Sequence, residues 1–343
     1  MKETAMDGTA TIIRDKSAWV AADHQSNRSW LYEMTAADLA EIAAAVSDLR
    51  TKGLQPPGFG ASDFPIPVFG RRLAAQAREL EHGCGFFLLR GLPVDKYDLD
   101  TIKTIYWGIG VHLGVPVFQN KRGDLMTHVA DQGDDYDDVN TRLYTTAAEA
   151  NPHNDPSDVV GLLCVRKSPE GGRSMIASAM SIHNRVAAER PEYLPILHKG
   201  FPHDLRGEGP TRELNETTPD IPIFSDYGGK LSCCINSKSS RTARDKQGRP
   251  MTDLELAAIK YVESLAVSPE LCLGMDFRPG DIQFLNNYVI MHTRTAFKDG
   301  PNADQKRLLL RLWLNLHKGR QLAPGFGDRF NNGSRGGVPA VKS

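Results

Sequence analysis

The chain has no surplus of charge, since 41 basic and 42 acidic residues among 343 leave a formal net charge of −1. No global field therefore draws it to nucleic acid or to an anionic membrane, and a small-molecule partner is the better expectation. It has no apolar stretch long enough to cross a bilayer, and its start, MKETAMDGTATIIRDK, lacks the apolar segment of a secretion signal. A cytoplasmic location is the simplest expectation. Zinc-type C-x-x-C pairs are missing too. The five cysteines, Cys84, Cys164, Cys233, Cys234 and Cys272, lie mostly in apolar runs, where a free thiol packs as a small hydrophobe. Cys233 and Cys234 are adjacent, but on a strand they point to opposite faces, which disfavours a vicinal disulfide. Neither a G-x-G-x-x-G turn nor a P-loop occurs, and no internal repeat or long linker divides the chain.

What is present is a hydrophobic fraction of 40%, enough for a large core. Residues 31–320 are expected to form one domain, with 1–30 as an N-terminal extension and 321–343 as a disordered tail. Leu39, Ile42, Ala43, Val46 and Leu49 fall at helical spacing and predict an amphipathic helix over 36–50, with Thr35 as its N-cap. Further helices are expected over 71–82, stopping at Gly83, over 99–113, and over 252–266 behind the capping box Thr252-x-x-Glu255. Strands are expected over 86–90, 158–166, 231–236, 282–295 and 307–316. In the last of these, Leu308, Leu310, Leu312, Leu314 and Leu316 alternate with Arg307, Leu309, Arg311, Trp313 and Asn315, so five leucines share one face. Arginines on the opposite face require a polar cavity. A sheet with helices outside and a polar interior points to an α+β fold with a double-stranded β-helix core, the jelly-roll or cupin-like barrel, and flanking helices. The long loops 133–140 (GDDYDDVN) and 204–230 are either lids or plain solvated surface.

One constellation carries chemistry. His153-Asn154-Asp155 places an imidazole and a carboxylate two residues apart, on the same face of an extended backbone. By itself H-x-D is a frequent chance match. A third ligand is available in His292, which ends the strand-like run Tyr288-Val289-Ile290-Met291-His292 after the turn Arg278-Pro279-Gly280-Asp281. Two histidines and a carboxylate on one face of an octahedron suit Fe(II) and leave three positions, two for a chelating 2-oxo acid and one for dioxygen. A dianionic cosubstrate also needs a cation at its far carboxylate, and arginine offers a planar fork for it.

The ordered set resembles the taurine dioxygenase (TauD/TfdA) family of Fe(II)/2-oxoglutarate-dependent oxygenases. The likeness runs through Cys84–Leu92 (CGFFLLRGL), Leu113-Gly114-Val115-Pro116, Pro152-His153-Asn154-Asp155 and Gly171-Gly172-Arg173-Ser174. It resumes at Pro279-Gly280-Asp281, His292-Thr293-Arg294-Thr295-Ala296-Phe297 and Arg307–Leu314 (RLLLRLWL), so it covers most of residues 65–320. The resemblance implies that His153, Asp155 and His292 bind iron and that Arg311 anchors the far carboxylate of 2-oxoglutarate, with Arg307 on the same strand face as runner-up. Ser174 stands where members often place a threonine against the cosubstrate, and is otherwise an ordinary hairpin residue. Gln119 and Asn120 are candidate substrate contacts, or residues that finish a loop. Asn154 and Pro152 depart from the threonine or serine and the tryptophan common at those positions, which puts the substrate in doubt and leaves the metal site intact. Asp155, being a carboxylate, leaves no vacancy for chloride and disfavours halogenation. The implied reaction uses dioxygen and releases succinate and carbon dioxide. It oxidises a small polar molecule such as an amino acid, an amine or an organic acid, by hydroxylation, desaturation or ring closure. A non-catalytic small-molecule-binding barrel and a redox-neutral metal hydrolase or isomerase are the alternatives, and self-association into a homo-oligomer stays open.

Overall fold

The strand of alternating leucines sets the architecture. A computed structural model describes residues 11–134, 143–331, 333 and 335–339. Its main strands are Leu31–Glu33 (β1), Phe86–Arg90 (β2), Gly114–Pro116 (β3), Met126–Val129 (β4), Val159–Arg166 (β5), Ser174–Ser178 (β6), Cys272–Met275 (β7), Ile282–Asn286 (β8), Ile290–Arg294 (β9) and Leu308–Leu316 (β10). The larger sheet runs β1-β2-β8-β5-β10-β3, with β4 also paired to β10, and only β1 and β2 are parallel. The smaller sheet is antiparallel, β7-β6-β9.

Period-two alternation divides each strand of the large sheet between two cores. Leu308, Leu310, Leu312 and Leu314 pack with Phe87, Leu89 and Phe284 beneath the helices Ala36–Thr51, Pro67–His82 and Leu99–Leu113. The intervening Leu309 and Trp313 face the other way, with Phe86, Leu88, Val160 and Leu285, toward Ile176 of β6, Leu273 of β7 and Met291 of β9. Arg307 and Arg311 lie on that inner side and line a cavity between the sheets. The chain is thus mixed α/β with a large, mainly antiparallel sheet, helices covering its outer face and polar side chains within.

Local signals account for most helix ends. The Thr35 hydroxyl accepts from the Asp38 amide (3.2 Å), and Asp98 accepts from Thr101 (2.7 Å). The helix expected from 71 begins at Pro67, because Glu41 of the preceding helix accepts from the Val68 and Phe69 amides (3.1 and 2.9 Å), a cap that no local pattern reveals. The strand expected over 282–295 is broken at Asn286, whose side chain accepts from the Tyr288 amide (2.9 Å) and turns the chain into β9. Helices Ala179–Glu189 and Ser237–Lys246 were absent from the sequence expectations; each is capped by the residue before it, Ser178 and Asn236.

All five cysteines are free. Among the described residues no helix is long and apolar enough to cross a membrane. The expected loop 133–140 falls, beyond Asp134, outside the described residues. The segment after residue 320, expected to be disordered, is packed where it is described. Phe326, Phe330 and Val338 are buried, the Arg335 guanidinium donates to Asp158 (2.8 Å), and the Val338 amide donates to the Phe118 carbonyl (2.8 Å). Its polar composition hides these anchors, which are spaced too irregularly to register as an element.

Candidate metal centre and cavity

Two backbone hydrogen bonds assemble the candidate metal ligands. The His153 amide donates to the His292 carbonyl (3.0 Å) and the His292 amide returns the bond (3.1 Å), so the loop carrying His153 pairs directly with β9. Their rings lie 4.4 Å apart between centroids. Asp155 closes the group, and one candidate ligand atom from each residue lies within 4.8 Å of the others. His292 Nε2 is 3.8 Å from Asp155 Oδ2, beyond hydrogen-bonding range. The carboxylate and the imidazole thus converge without satisfying each other, as donors around a common ion do.

The protonation states suit that role. His153 Nδ1 meets the Asn151 carbonyl at 2.9 Å; a carbonyl only accepts, so Nδ1 donates and Nε2 is the ring nitrogen left for a metal. Burial first, then His153 and Arg311, lower the His292 pKa to about 3 against the pull of Asp155, so this imidazole is neutral at physiological pH. Burial would raise the Asp155 pKa, but Arg311, His292, His153 and the Trp313 hydrogen bond together hold it below the usual carboxylate range.

The ligand segment is clamped from several sides. Trp313 Nε1 donates to Asp155 Oδ2 (3.0 Å), and the Asp155 amide donates to Asn287 Oδ1 (3.1 Å). Asn154 points away from the metal group: its amide nitrogen donates to the Ile290 carbonyl (2.8 Å) and its oxygen accepts from the Ile235 amide (2.9 Å). The departure from threonine or serine at this position therefore serves as a backbone splice. Arg329, from the C-terminal segment, donates to the Asn154 and Asp155 carbonyls (3.3 and 3.0 Å).

The cavity, about 200 Å³, is lined by the three ligands together with Ser174, Gln283, Arg307 and Arg311. The two arginines differ. Arg311 is committed: its Nε donates to Gln119 Oε1 (2.8 Å), its Nη1 lies 3.7 Å from Asp155 Oδ1, and the rings of Tyr144 and Trp313 flank it at 4.8 and 4.6 Å. Arg307 lies against the Phe297 ring, and its Nη1 is buried with no hydrogen-bond partner among the described residues. Burial lowers the Arg307 pKa to about 10, against the opposing pull of Cys164 and Asp299, which leaves it cationic at neutral pH. The Ser174 hydroxyl donates to Gln283 Oε1 (3.1 Å), within the cavity wall.

Gln119 and Asn120 do not reach the cavity. Gln119 is fully buried behind Arg311, donating to the Arg311 and Leu125 carbonyls (2.8 and 3.0 Å) and accepting from Thr127 as well as from Arg311. Asn120 donates to Asp124 (2.8 Å) and accepts from the Arg122 amide (3.0 Å), closing a turn. Trp313 was legible on the inner face of β10 by period two, although its partner was not. Asn287 and Arg329 carried no local signal.

Sheets of this arrangement around a His-x-Asp with a buried aspartate and a buried distal His, with arginines on the facing strand, define a dioxygenase of the non-haem iron, 2-oxoglutarate-dependent class. The chain belongs to the taurine catabolism dioxygenase TauD, TfdA family, whose model matches residues 50–313. It is 32% identical over 315 residues to FR-33289 synthase of Streptomyces rubellomurinus, covering 90% of this chain and 92% of that protein. A taurine hydroxylase-like protein, SAT17, of Stachybotrys chartarum is 26% identical over 317 residues, covering 88% and 79%. Among solved structures, asparagine oxygenase in complex with Fe(II), 3-hydroxyasparagine and succinate shares the fold with a TM-score of 0.65 at 16% identity, over 83% of this chain and 93% of that one. The non-haem iron oxygenase OrfP, in complex with Fe, succinate and (3S)-hydroxy-L-Arg, gives 0.61 at 14% identity, over 83% and 94%.

Proposed function

We propose that this protein uses Fe(II), 2-oxoglutarate and dioxygen to oxidise a small polar molecule of the amino acid, amine or organic acid class, within one oxygenase unit built on a double-stranded β-helix. The observation that carries the reading is the convergence of His153, Asp155 and His292 on one point of a cavity whose facing strand supplies buried arginine. Iron(II) held by these three residues would supply the centre at which dioxygen oxidatively decarboxylates 2-oxoglutarate and the substrate loses a hydrogen.

The chain's own residues do the positioning. His292 presents a neutral imidazole and His153 its Nε2, fixed by the backbone pair between their segments and by the Asn151 carbonyl. Trp313 and Arg311 keep Asp155 anionic and oriented. Arg307 is the better anchor for the far carboxylate of 2-oxoglutarate, because a buried guanidinium with an unpartnered Nη1 gains a charge-assisted pair, whereas Arg311 already serves Gln119 and Asp155. Ser174 and Gln283, in the same wall, complete a polar end for the cosubstrate. Leu162, Leu309 and Phe277 are among the apolar side chains that line the rest of the cavity and restrict water.

The experiment is succinate release from 2-oxoglutarate in air across a panel of small amino acids, amines and organic acids, followed by mass analysis of any stimulating compound. Iron-dependent succinate formation is expected. Its absence with reduced, iron-loaded protein across the whole panel, or turnover that does not need dioxygen, would overturn the reading. Purification of stoichiometric iron with the protein separates it further from a metal-free binding barrel.

A further inference from the structure

The loop that carries His153 and Asp155 is held on two sides by different parts of the chain. Its amides go to the core: His153 donates to the His292 carbonyl (3.0 Å), Asn154 to the Ile235 carbonyl (2.9 Å) and Asp155 to Asn287 Oδ1 (3.1 Å). Beyond the His153 bridge the loop belongs to no strand, so its next carbonyls have no ladder partner. They are met from the C-terminal segment. Arg329 Nη1 donates to the Asn154 and Asp155 carbonyls (3.3 and 3.0 Å), and the Gly337 amide donates to the Pro156 carbonyl (2.6 Å). A turn bond from the Ser157 amide (2.9 Å) also reaches the Asp155 carbonyl.

The C-terminal segment has anchors of its own, so it reaches the loop from a fixed position. Phe326 lies against the Tyr288 ring (6.1 Å between centroids), and Phe330 packs into the inner core. Arg335 Nε donates to Asp158 (2.8 Å), the Arg335 carbonyl accepts from Asn315 (2.6 Å), and the Val338 amide donates to the Phe118 carbonyl (2.8 Å). Gly337 has φ +71°, and a Cβ there would stand 2.8 Å from that of Val117, so the closest approach admits no side chain. Arg329 is 6% exposed, with its guanidinium 6.0 Å from the Tyr288 ring. The division of labour at Asp155 follows. Trp313 and Arg311, from the large sheet, hold its carboxylate, whereas Arg329 holds the backbone from which that carboxylate projects, through charge-assisted bonds.

Resting on the functional reading above, we propose that Arg329 is a positioning residue for the metal group: docking of the C-terminal segment sets where the Asp155 carboxylate stands relative to His153 and His292, and a filled metal group in turn stabilises the docked segment. The two effects are one coupling free energy, so each implies the other. Residues 326–338 lie beyond the stretch 50–313 that the family model matches, so the coupling belongs to this chain's C-terminal segment and not to the matched stretch.

Two measurements on the full-length protein test this. Iron affinity is read from anaerobic Fe(II) titration with 2-oxoglutarate, followed by the visible absorption band, and docking is read from amide hydrogen exchange of peptides covering the C-terminal segment, with and without Fe(II) and 2-oxoglutarate. In the wild type, Fe(II) and 2-oxoglutarate should slow that exchange. Arg329→Met should weaken iron binding roughly tenfold or more and remove the slowing, and Arg329→Lys should recover part of the affinity. Wild-type iron affinity in folded Arg329→Met, or C-terminal exchange in the wild type that is the same with and without metal, overturns the inference. Lower thermal stability of metal-free Arg329→Met with iron affinity unchanged would also overturn it, by reducing Arg329 to a fold-stabilising residue. If Arg329→Met fails to fold, Arg329→Lys and Gly337→Ala decide: weakened iron binding in at least one supports the proposal, and wild-type affinity in both contradicts it. A wild type with no band removes the functional reading and the inference together; a band whose iron dependence Arg329→Met leaves unchanged removes the inference alone.

Discussion

Asp155 shows how a residue acquires its role from neighbours that are remote in sequence. Trp313, Arg311 and Asn287 fix its carboxylate and its amide from three directions. Arg307, four residues before Arg311, faces the same cavity without such commitments, and this gives the two arginines different expected phenotypes. Arg307→Met should raise the KM for 2-oxoglutarate roughly tenfold or more with iron affinity little changed, whereas Arg311→Met should weaken iron retention and kcat more than that KM. Steady-state kinetics with parallel iron analysis checks both, and the reverse pattern would return the anchor to Arg311. A second expectation at this scale concerns His183, buried against Phe224 and far from the ligands in sequence. Burial first, and then His198, lower its pKa from 6.5 to about 4, with a hydrogen bond to Asn184 opposing. The folded state then binds fewer protons than the unfolded chain between those values. The contribution is complete above about pH 6.5 and is lost as pH falls toward 4, at up to roughly 1.4 kcal/mol per pH unit. Urea midpoints at pH 7 and pH 5 should therefore fall less for His183→Gln than for the wild type, and equal falls would contradict the assignment.

At the scale of elements, β10 divides the molecule. Its leucine face joins the helix-covered core, and its other face carries Arg307, Leu309, Arg311 and Trp313 to the cavity. Leu310→Ala, in the fully buried helix-side layer, should cost about 2–5 kcal/mol in chemical denaturation without changing which ligands hold the metal. A loss well under 1 kcal/mol would mean that the layer tolerates the cavity far better than its burial implies. This strand was legible because strict alternation survives any context, and so were the helices capped by their own Thr35, Asp98 and Thr252. The start of the Pro67–His82 helix was not, because Glu41 caps it from another helix, nor was the break at Asn286, which depends on one side chain folding back. The C-terminal segment misled for the same reason: its anchors, Phe326, Phe330, Arg335 and Val338, have meaning only against Tyr288, Asp158 and Phe118.

Across the whole molecule, the candidate metal group exists because the His153 loop pairs with β9 of the small sheet while Trp313 and Arg311 reach Asp155 from the large one. The residue types of the triad were readable from spacing and from the resemblance to a known family. Their convergence, and the burial of Gln119 behind Arg311 and away from the cavity, depend on tertiary packing that no local pattern encodes. The most direct measurement is anaerobic titration of Fe(II) into the protein with 2-oxoglutarate, followed by visible absorption. A metal-to-cosubstrate charge-transfer band should grow to one equivalent in the wild type and be lost in His292→Ala. No band in the wild type, or an undiminished band in folded His292→Ala, would contradict the assignment of His153, Asp155 and His292 as the iron ligands.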